Sequence, residues 1–139
     1  MNVGYTTGVF DLFHVGHLNL LKRAKSLCEF LIVGVSTDEL VAYKNKKAVI
    51  PFEERIQIVD SIEYVDAVVP QDSMDKLDAY KRYKFDVMFV GDDWYKTPQW
   101  QTIELNLDAK GVKVIYFPYT KSTSSSLINQ TLLNLRGQD

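Results

Sequence analysis

The sequence predicts a single α/β domain in which helices cover both faces of a five-stranded parallel sheet. Segments with strand character alternate with segments of helical spacing along the whole chain. The strand segments are continuous apolar runs, which is typical of parallel strands that are buried on both faces. The chain has 139 residues, 46% of them hydrophobic, which is enough for one compact core.

The five predicted strands are short segments rich in valine and aromatic residues, at 3–7, 30–35, 67–69, 87–90 and 112–117. Apolar residues at helical spacing predict helices over 15–27, 51–62, 74–83, 99–109 and 125–135. Ser124 or Ser125 is the predicted N-cap of the last helix. This alternation predicts the doubly wound, Rossmann-like arrangement, and no repeat or linker divides residues 1–139.

The composition argues against several function classes. The 16 basic and 18 acidic residues give a net charge of -2, so no overall field favours nucleic acid or an anionic membrane. No apolar run approaches the ~20 residues of a membrane span and no signal-peptide pattern is present, so we expect a cytoplasmic protein. Cys28 is the only cysteine, which excludes an internal disulfide, and we expect it to be a small buried hydrophobe.

Polar residues follow most of the predicted strands. They occupy residues 6–17 after the first strand, 36–39 after the second, 91–94 after the fourth and 118–126 after the fifth. Doubly wound sheets bind ligands outside the carboxyl ends of their strands. We therefore expect the functional site to be built from these segments.

The two histidines of the chain, His14 and His17, both fall at the start of the first predicted helix. Their spacing of three places both rings on one helical face, beside backbone N–H groups that attract anions. Two alternatives are a pair of solvated or core histidines, and a zinc site, for which Asp11 is the only nearby candidate as a third ligand.

This arrangement suits the attack of a phosphate on the α-phosphorus of a nucleotide. A phosphate monoester is already an anionic nucleophile, so the protein has to position the reactants and stabilise charge without removing a proton. Imidazole N–H groups can supply that stabilisation. Gly8 and Gly16 would let the backbone approach the phosphates, or would serve only a turn or helix–strand packing.

Two further segments offer cations and hydroxyl groups. Residues 44–47 read Lys-Asn-Lys-Lys, which is either a solvated face or a loop that folds Lys44 or Lys46 over a triphosphate. Residues 119–126 place several hydroxyl groups at a helix start, which is consistent with a second phosphate-binding turn. Neither GxGxxG after the first strand nor GxxxxGK[ST] anywhere is present, which disfavours dinucleotide and P-loop sites.

The run from Tyr5 to His17, ending in H-x-G-H at residues 14–17, resembles the signature of the cytidylyltransferases within the HIGH-motif nucleotidyltransferases. Residues 33–39, 44–47, 54–55, 64–66 and 91–94 resemble segments of bacterial glycerol-3-phosphate cytidylyltransferases, in the same order. The resemblance implies that a phosphorylated alcohol, first of all glycerol 3-phosphate, displaces pyrophosphate from CTP. The product would be a CDP-alcohol, CDP-glycerol in that case, for a cell-envelope polymer such as teichoic acid. It also implies Mg²⁺ with the nucleotide phosphates, and a homodimer.

The resemblance further implies roles for individual residues. His14 and His17 would act in catalysis, together with the phosphate-binding Lys44 and Lys46. The acceptor would be contacted by Lys44, Arg55, Glu63 and Tyr119. The nucleotide would be bound by Thr7, Gly8, Val9, Phe10, Asp11, Gly91, Asp93, Trp94, Thr120, Ser124 and Ser125.

Glu63 and Tyr119 stand where the family has arginines. Tyrosine supplies one neutral donor and glutamate repels anions, and Lys121 would compensate only in part. We hypothesise that the acceptor differs from glycerol 3-phosphate, for example phosphocholine, phosphoethanolamine or another polyol phosphate. Two rival functions are an ATP-dependent adenylyltransferase and a non-catalytic nucleotide-binding module.

Overall fold

Five parallel strands form one sheet in the order β3-β2-β1-β4-β5. The computed structural model describes residues 2–118, without the side chain of Asp93. The strands are β1 (Val3–Gly8), β2 (Phe30–Ser36), β3 (Ala67–Gln71), β4 (Val87–Gly91) and β5 (Lys113–Phe117). The predicted fold class is confirmed.

Helices cover both faces of this sheet. They are α1 (Val15–Ser26), α2 (Asp38–Tyr43), α3 (Phe52–Asp60), α4 (Lys76–Tyr83) and α5 (Pro98–Asp108), with a 3₁₀ turn at Asp92–Trp94. Leu21 of α1 and Val59 of α3 belong to the core on one face, and Trp100 and Leu107 of α5 belong to the core on the other. No helix within residues 2–118 is long and apolar enough to cross a membrane.

Some boundaries differ from the predicted ones for local reasons. Helix α4 begins two residues later than predicted because the Asp75 carboxylate caps it, accepting from the N–H groups of Leu77 and Asp78 at 3.0 and 3.1 Å. Strand β3 extends through Pro70, which is tolerated because β3 is an edge strand. The predicted helix 125–135 lies outside the described residues.

Cys28 is less enclosed than the sequence suggested. It is half-buried beside the core, and its thiol donates to the carbonyl oxygen of Ala24 at 3.3 Å. Burial raises the pKa of this thiol, although the nearby Lys25 opposes the shift. Because a protonated thiol is a poor nucleophile, the structure gives Cys28 a packing role.

The sheet topology produces a crevice between β1 and β4. From β1 the chain adds β2 and β3 on one side and then returns to place β4 and β5 on the other. Such a switch point is where open α/β sheets bind ligands. Tyr5 pairs with Met88, so continuing that register brings Gly8 opposite Gly91 at the carboxyl edge.

Candidate active site at the carboxyl edge

The two histidines form a locked turn at the start of α1. His14 is the N-cap, and its Nδ1 accepts from the N–H of Gly16 at 3.0 Å. The Nδ1 of His17 accepts from the backbone N–H of His14 at 3.3 Å, and the two rings stack with centroids 4.0 Å apart. Because each Nδ1 is an acceptor, each neutral ring carries its proton on Nε2. Both imidazoles therefore carry an Nε2–H donor.

Burial keeps these two rings neutral. It lowers the pKa of His17 to about 4, with a further contribution from His14 and an opposing one from Asp11. Burial also lowers the pKa of His14. At neutral pH the pair therefore acts through hydrogen-bond donors and adds no positive charge to the site.

Aromatic residues and a strained backbone fix this histidine turn. The rings of Phe10 and Phe13 lie 5.4 and 5.3 Å from the ring of His17. Phe10 and Leu12 both adopt left-handed backbone angles, with φ of 54° and 51°. A Cβ at position 8 would lie 3.0 Å from the Phe10 ring, so Gly8 lets that ring pack against the strand end. Strain of this kind is retained where the surroundings determine the geometry.

A pocket of about 330 Å³ lies beside the histidine turn. Seven of the predicted site residues line it, namely Thr7, Gly8, Val9, Phe10, Asp11, His17 and Lys46. The other lining residues are Leu20, Val41, Lys47 and Ala48. The structure thus brings the segment after β1 and the lysine run together around one cavity, and it adds Lys47 to the predicted residues.

Lys44 and Lys76 are lysines whose side chains are wholly or partly buried. Lys44 is half-buried at the C-cap of α2, where burial and the charge of Lys46 lower its pKa. Lys76, the first residue of α4, is only 7% exposed, and its Nζ lies 5.8 Å from the centroid of the Trp100 ring. Burial and the nearby charge of Lys44 lower the pKa of Lys76 to about 8.

No ion pair in the described part of the chain involves Lys44, Lys46, Lys47 or Lys76. A buried cation without an acidic partner is costly to maintain, and a bound anion would relieve that cost. Sequence reasoning missed Lys76. The signal that could have found it is a lysine in the first turn of a helix, where the helix dipole disfavours a cation.

Asp11 connects two loops of the site. Its carboxylate oxygens accept from the backbone N–H groups of Val49 and Ile50 at 2.8 and 2.9 Å. Among residues 2–118, no three His, Cys, Asp or Glu side chains gather as a metal-binding group would. The zinc alternative therefore gains no support from the described residues.

Arg55 was predicted to contact the acceptor, but the structure shows its side chain bonded within the protein. Its side chain is fully buried, and four of its N–H groups donate to the protein itself. The acceptors are the carbonyl oxygens of Ile50, Val9 and Ser36 and the carboxylate of Asp38. Since a guanidinium has five N–H groups, little capacity is left for a substrate.

Glu63 was also expected at the acceptor site, but the topology places it elsewhere. It precedes β3, whose first residue Ala67 pairs with Ile32 near the start of β2. The neighbouring Asp66 donates its N–H to the carbonyl oxygen of Leu31 at 3.0 Å. Glu63 therefore lies at the amino edge of the sheet, at the opposite ends of the strands from the histidine turn.

The structure describes some of the remaining predicted site residues. Gly91 ends β4, and Trp94 lies in the 3₁₀ turn that follows, 43% exposed with its ring 6.4 Å from that of Trp100. The side chain of Asp93 is not described. The predicted site residues Tyr119, Thr120, Ser124 and Ser125 lie outside the described residues.

Comparisons with known proteins show the family to which the chain belongs. Residues 5–131 match the cytidylyltransferase-like family model. The glycerol-3-phosphate cytidylyltransferase of Bacillus spizizenii is 36% identical over 131 residues, which are 94% of this chain and 96% of that protein. The FAD synthase of Pyrococcus abyssi is 39% identical over 116 residues, which are 81% of this chain and 77% of that protein.

A solved structure supports the fold independently of close sequence similarity. The lipopolysaccharide core biosynthesis protein from Thermoplasma volcanium superposes with a TM-score of 0.73 and 24% identity. The match covers 88% of this chain and 99% of that one. At this identity, the likeness bears on the fold alone.

Proposed function

The chain belongs to the cytidylyltransferase-like family, and on that premise we propose that it transfers CMP from CTP to the phosphate group of a small alcohol. Glycerol 3-phosphate is the acceptor we propose first, because the Bacillus relative, which aligns over nearly the whole chain, carries that name. The observation that carries the proposal is the pair of neutral Nε2–H donors beside lysines that take part in no described ion pair.

In the proposed reaction, a phosphate oxygen of the acceptor attacks the α-phosphorus of CTP. A new P–O bond forms there while the bond from the α-phosphorus to the bridging oxygen breaks, and that oxygen leaves with pyrophosphate. The dianionic acceptor has no proton to lose, so no general base is needed. His14 and His17 would donate hydrogen bonds where negative charge develops, and their locked turn would need no reorganisation.

Lys44 and Lys76 would hold the acceptor phosphate. The charge of each would compensate one charge of a phosphate monoester, and the partial burial of both strengthens that attraction. Lys46 and Lys47 line the pocket beside His17 and would hold the triphosphate. The acceptor phosphate and the nucleotide triphosphate would then be bound by different lysines.

Mg²⁺ remains part of the proposal through the nucleotide. The described residues hold no cluster of three possible ligands, and Mg²⁺ in such reactions is usually bound by phosphate oxygens, water and one or two carboxylates. Residues 2–118 are compatible with an ion that arrives with CTP. When bound, it would neutralise charge on the phosphates.

Adenylyl transfer is the second candidate. The similarity to the FAD synthase of Pyrococcus abyssi over 81% of this chain supports it, because ATP would then replace CTP in the same chemistry. Glu63 lies at the amino edge, which argues against its direct contact with an acceptor bound beside the histidine turn of the same chain. Tyr119, the other residue that departs from the family pattern, lies outside the described residues.

The deciding experiment measures pyrophosphate release with CTP or ATP, each combined with glycerol 3-phosphate, phosphocholine, phosphoethanolamine, other polyol phosphates and FMN. We expect turnover with CTP and glycerol 3-phosphate, and a product mass equal to that of CDP-glycerol. Preference for another phosphate would replace the acceptor, and preference for ATP would replace the nucleotide. Nucleotide binding without pyrophosphate release under any condition would favour the non-catalytic module.

Two further features belong to this proposal. We propose a homodimer, which light scattering coupled to size-exclusion chromatography would test. We also propose the cytoplasm as the compartment, because CTP is a cytoplasmic metabolite. Localisation of a tagged full-length chain in cells would test this.

A further inference from the structure

Arg55 joins four segments at the carboxyl edge. Its Nη1 donates to the carbonyl oxygens of Val9, after β1, and Ser36, at the end of β2, at 2.8 and 2.7 Å. Its Nη2 donates to Asp38 at the start of α2 at 2.6 Å, and its Nε donates to the carbonyl oxygen of Ile50 at 2.8 Å. A single buried guanidinium therefore connects segments separated by up to 46 positions in the chain.

Asp11 provides a second set of hydrogen bonds in the same region. We call residues 46–50 the lysine loop, because Lys46 and Lys47 lie in it and line the pocket. The carboxylate of Asp11 accepts from the N–H groups of Val49 and Ile50. Ile50 is thus held through its N–H by Asp11 and through its carbonyl oxygen by Arg55. The C-terminal end of the lysine loop is fixed directly to the segment that contains the histidine turn.

Burial of the Arg55 guanidinium costs folding free energy, and a purely structural role does not explain why that cost is retained. Burying a guanidinium requires loss of its water, and its described acidic partner, Asp38, has a side chain that is 47% exposed. An apolar side chain could fill the same volume without that cost. What an apolar residue could not do is bind three carbonyl oxygens that all belong to the segments around the pocket.

We infer that Arg55 and Asp11 are positioning residues that act on the reaction through the lysine loop, holding Lys46 and Lys47 at a fixed place beside His17. The inference rests on the proposed function for its kinetic part. Neither residue needs to touch a substrate. Displacing the loop would reduce catalysis because charge stabilisation depends on groups already in place before the reaction.

The kinetic test is a double-mutant cycle between Arg55→Lys and Lys46→Met. Arg55→Lys keeps the charge but loses the fork that reaches several carbonyl groups at once. We expect it to lower kcat/KM for CTP by about 10- to 100-fold in the wild-type background, and by a clearly smaller factor when Lys46 is already methionine, because only Lys47 then remains to be displaced. Equal losses in both backgrounds would overturn the inference.

A second test needs no turnover, so it stands even if the proposed function fails. Amide hydrogen exchange would be measured in the wild type, Asp11→Ala and Asp11→Asn. Asp11→Ala should speed exchange of the Val49 and Ile50 amides by about tenfold or more, without change at the β2 amide of Val33. Asp11→Asn, which keeps one carbonyl oxygen as acceptor, should have a smaller effect. Unchanged protection of Val49 and Ile50 in Asp11→Ala would overturn the inference.

Lys25→Met is the matched control for both tests. Lys25 bonds to Asp66 at 2.6 Å, so its replacement also removes an ion pair, but at the amino edge. It should leave kcat/KM and the exchange of Val49 and Ile50 unchanged. If Lys25→Met altered both as strongly as the Arg55 and Asp11 variants do, general loss of stability would explain the results and the positioning role would be wrong.

Discussion

The two edges of the sheet use their charged residues differently. At the amino edge, Asp66 accepts from the N–H of Leu31 at 2.8 Å and from the ammonium of Lys25 at 2.6 Å. Asp86 accepts from the N–H of Val3 at 2.8 Å in the same region. These two carboxylates satisfy the backbone or a lysine, so they have little capacity left for a ligand.

At the carboxyl edge, several lysines have no described ion-pair partner. Lys44, Lys46, Lys47 and Lys76 take part in none of the described ion pairs, and the Arg55–Asp38 pair is used to join loops. A chain with a net charge of -2 thus places four lysines without a described ion pair at the edge where its two histidines lie. Net charge alone therefore does not predict where an anion would bind, because the local pairing of charges also matters.

The largest expected effect comes from removing a histidine donor. His14→Asn keeps a side-chain acceptor for the N–H of Gly16, because asparagine is a good N-cap, but it removes the Nε2–H donor. We expect kcat to fall by about 10²–10³-fold, with little change in CTP affinity. Steady-state kinetics, a CTP binding titration and a thermal melt would measure these quantities.

His14→Ala is the matched comparison for that variant. It loses the cap as well as the donor, so its stability should be lower by about 1 kcal/mol at a similar kcat. If kcat and CTP affinity fell equally in His14→Asn, the histidine would serve binding and not the transition state.

Lys76→Met should affect stability and activity in opposite directions. Replacing a buried cation that lacks an ion pair with an apolar side chain should maintain or raise the melting temperature. The loss of its charge should lower kcat/KM for the acceptor by about 10- to 100-fold, since hydrogen bonds to charged groups contribute about 1.5–3 kcal/mol. Lys81→Met, on an exposed part of the same helix, is the control. An unchanged kcat/KM in Lys76→Met would exclude Lys76 from the site.

The pKa of Lys76 also predicts a pH dependence. In the free protein this lysine loses its charge above about pH 8, so kcat/KM for the acceptor should fall by about tenfold per pH unit beyond that point. Its folded pKa lies below the ordinary 10.5, so the unfolded chain binds more protons between about pH 8 and 10.5. Between those pH values, the contribution of Lys76 to the free energy of unfolding therefore rises with pH, while kcat/KM for the acceptor falls.

The variant Lys76→Met supplies the comparison for the pH profile. It should lose the decline in kcat/KM that begins near pH 8, because the titrating group is absent. A decline that persisted in this variant would assign the titration to another group.

The smallest effect is expected at the amino edge. Glu63→Arg should change kcat/KM for the acceptor by less than about twofold, because a strand of five residues spans about 16 Å and exposed charges are screened over about 8 Å. Kinetics with glycerol 3-phosphate and phosphocholine would measure it. A large gain with glycerol 3-phosphate would mean that this edge reaches a site, for example that of a second copy of the chain.

Much of the fold and the reaction class was predictable from the sequence, because both depend on local spacing. Alternating strand and helix segments predict the doubly wound sheet, and the structure confirms it. The spacing of His14 and His17 at a helix start places their rings together wherever that helix packs. Helix geometry alone fixes such a pair, so no knowledge of the tertiary structure is needed.

The roles of Arg55, Glu63 and Lys76 could not be predicted in this way. A charged residue in a sequence is expected to be exposed, yet Arg55 is buried among carbonyl groups from three segments, two of them distant in the chain. Lys76 meets Lys44 only because α2 and α4 both meet the carboxyl edge, and Glu63 leaves the site because its turn precedes β3. Local spacing determined which groups the chain offers; long-range packing decided which edge each one reaches and whether it has a partner there.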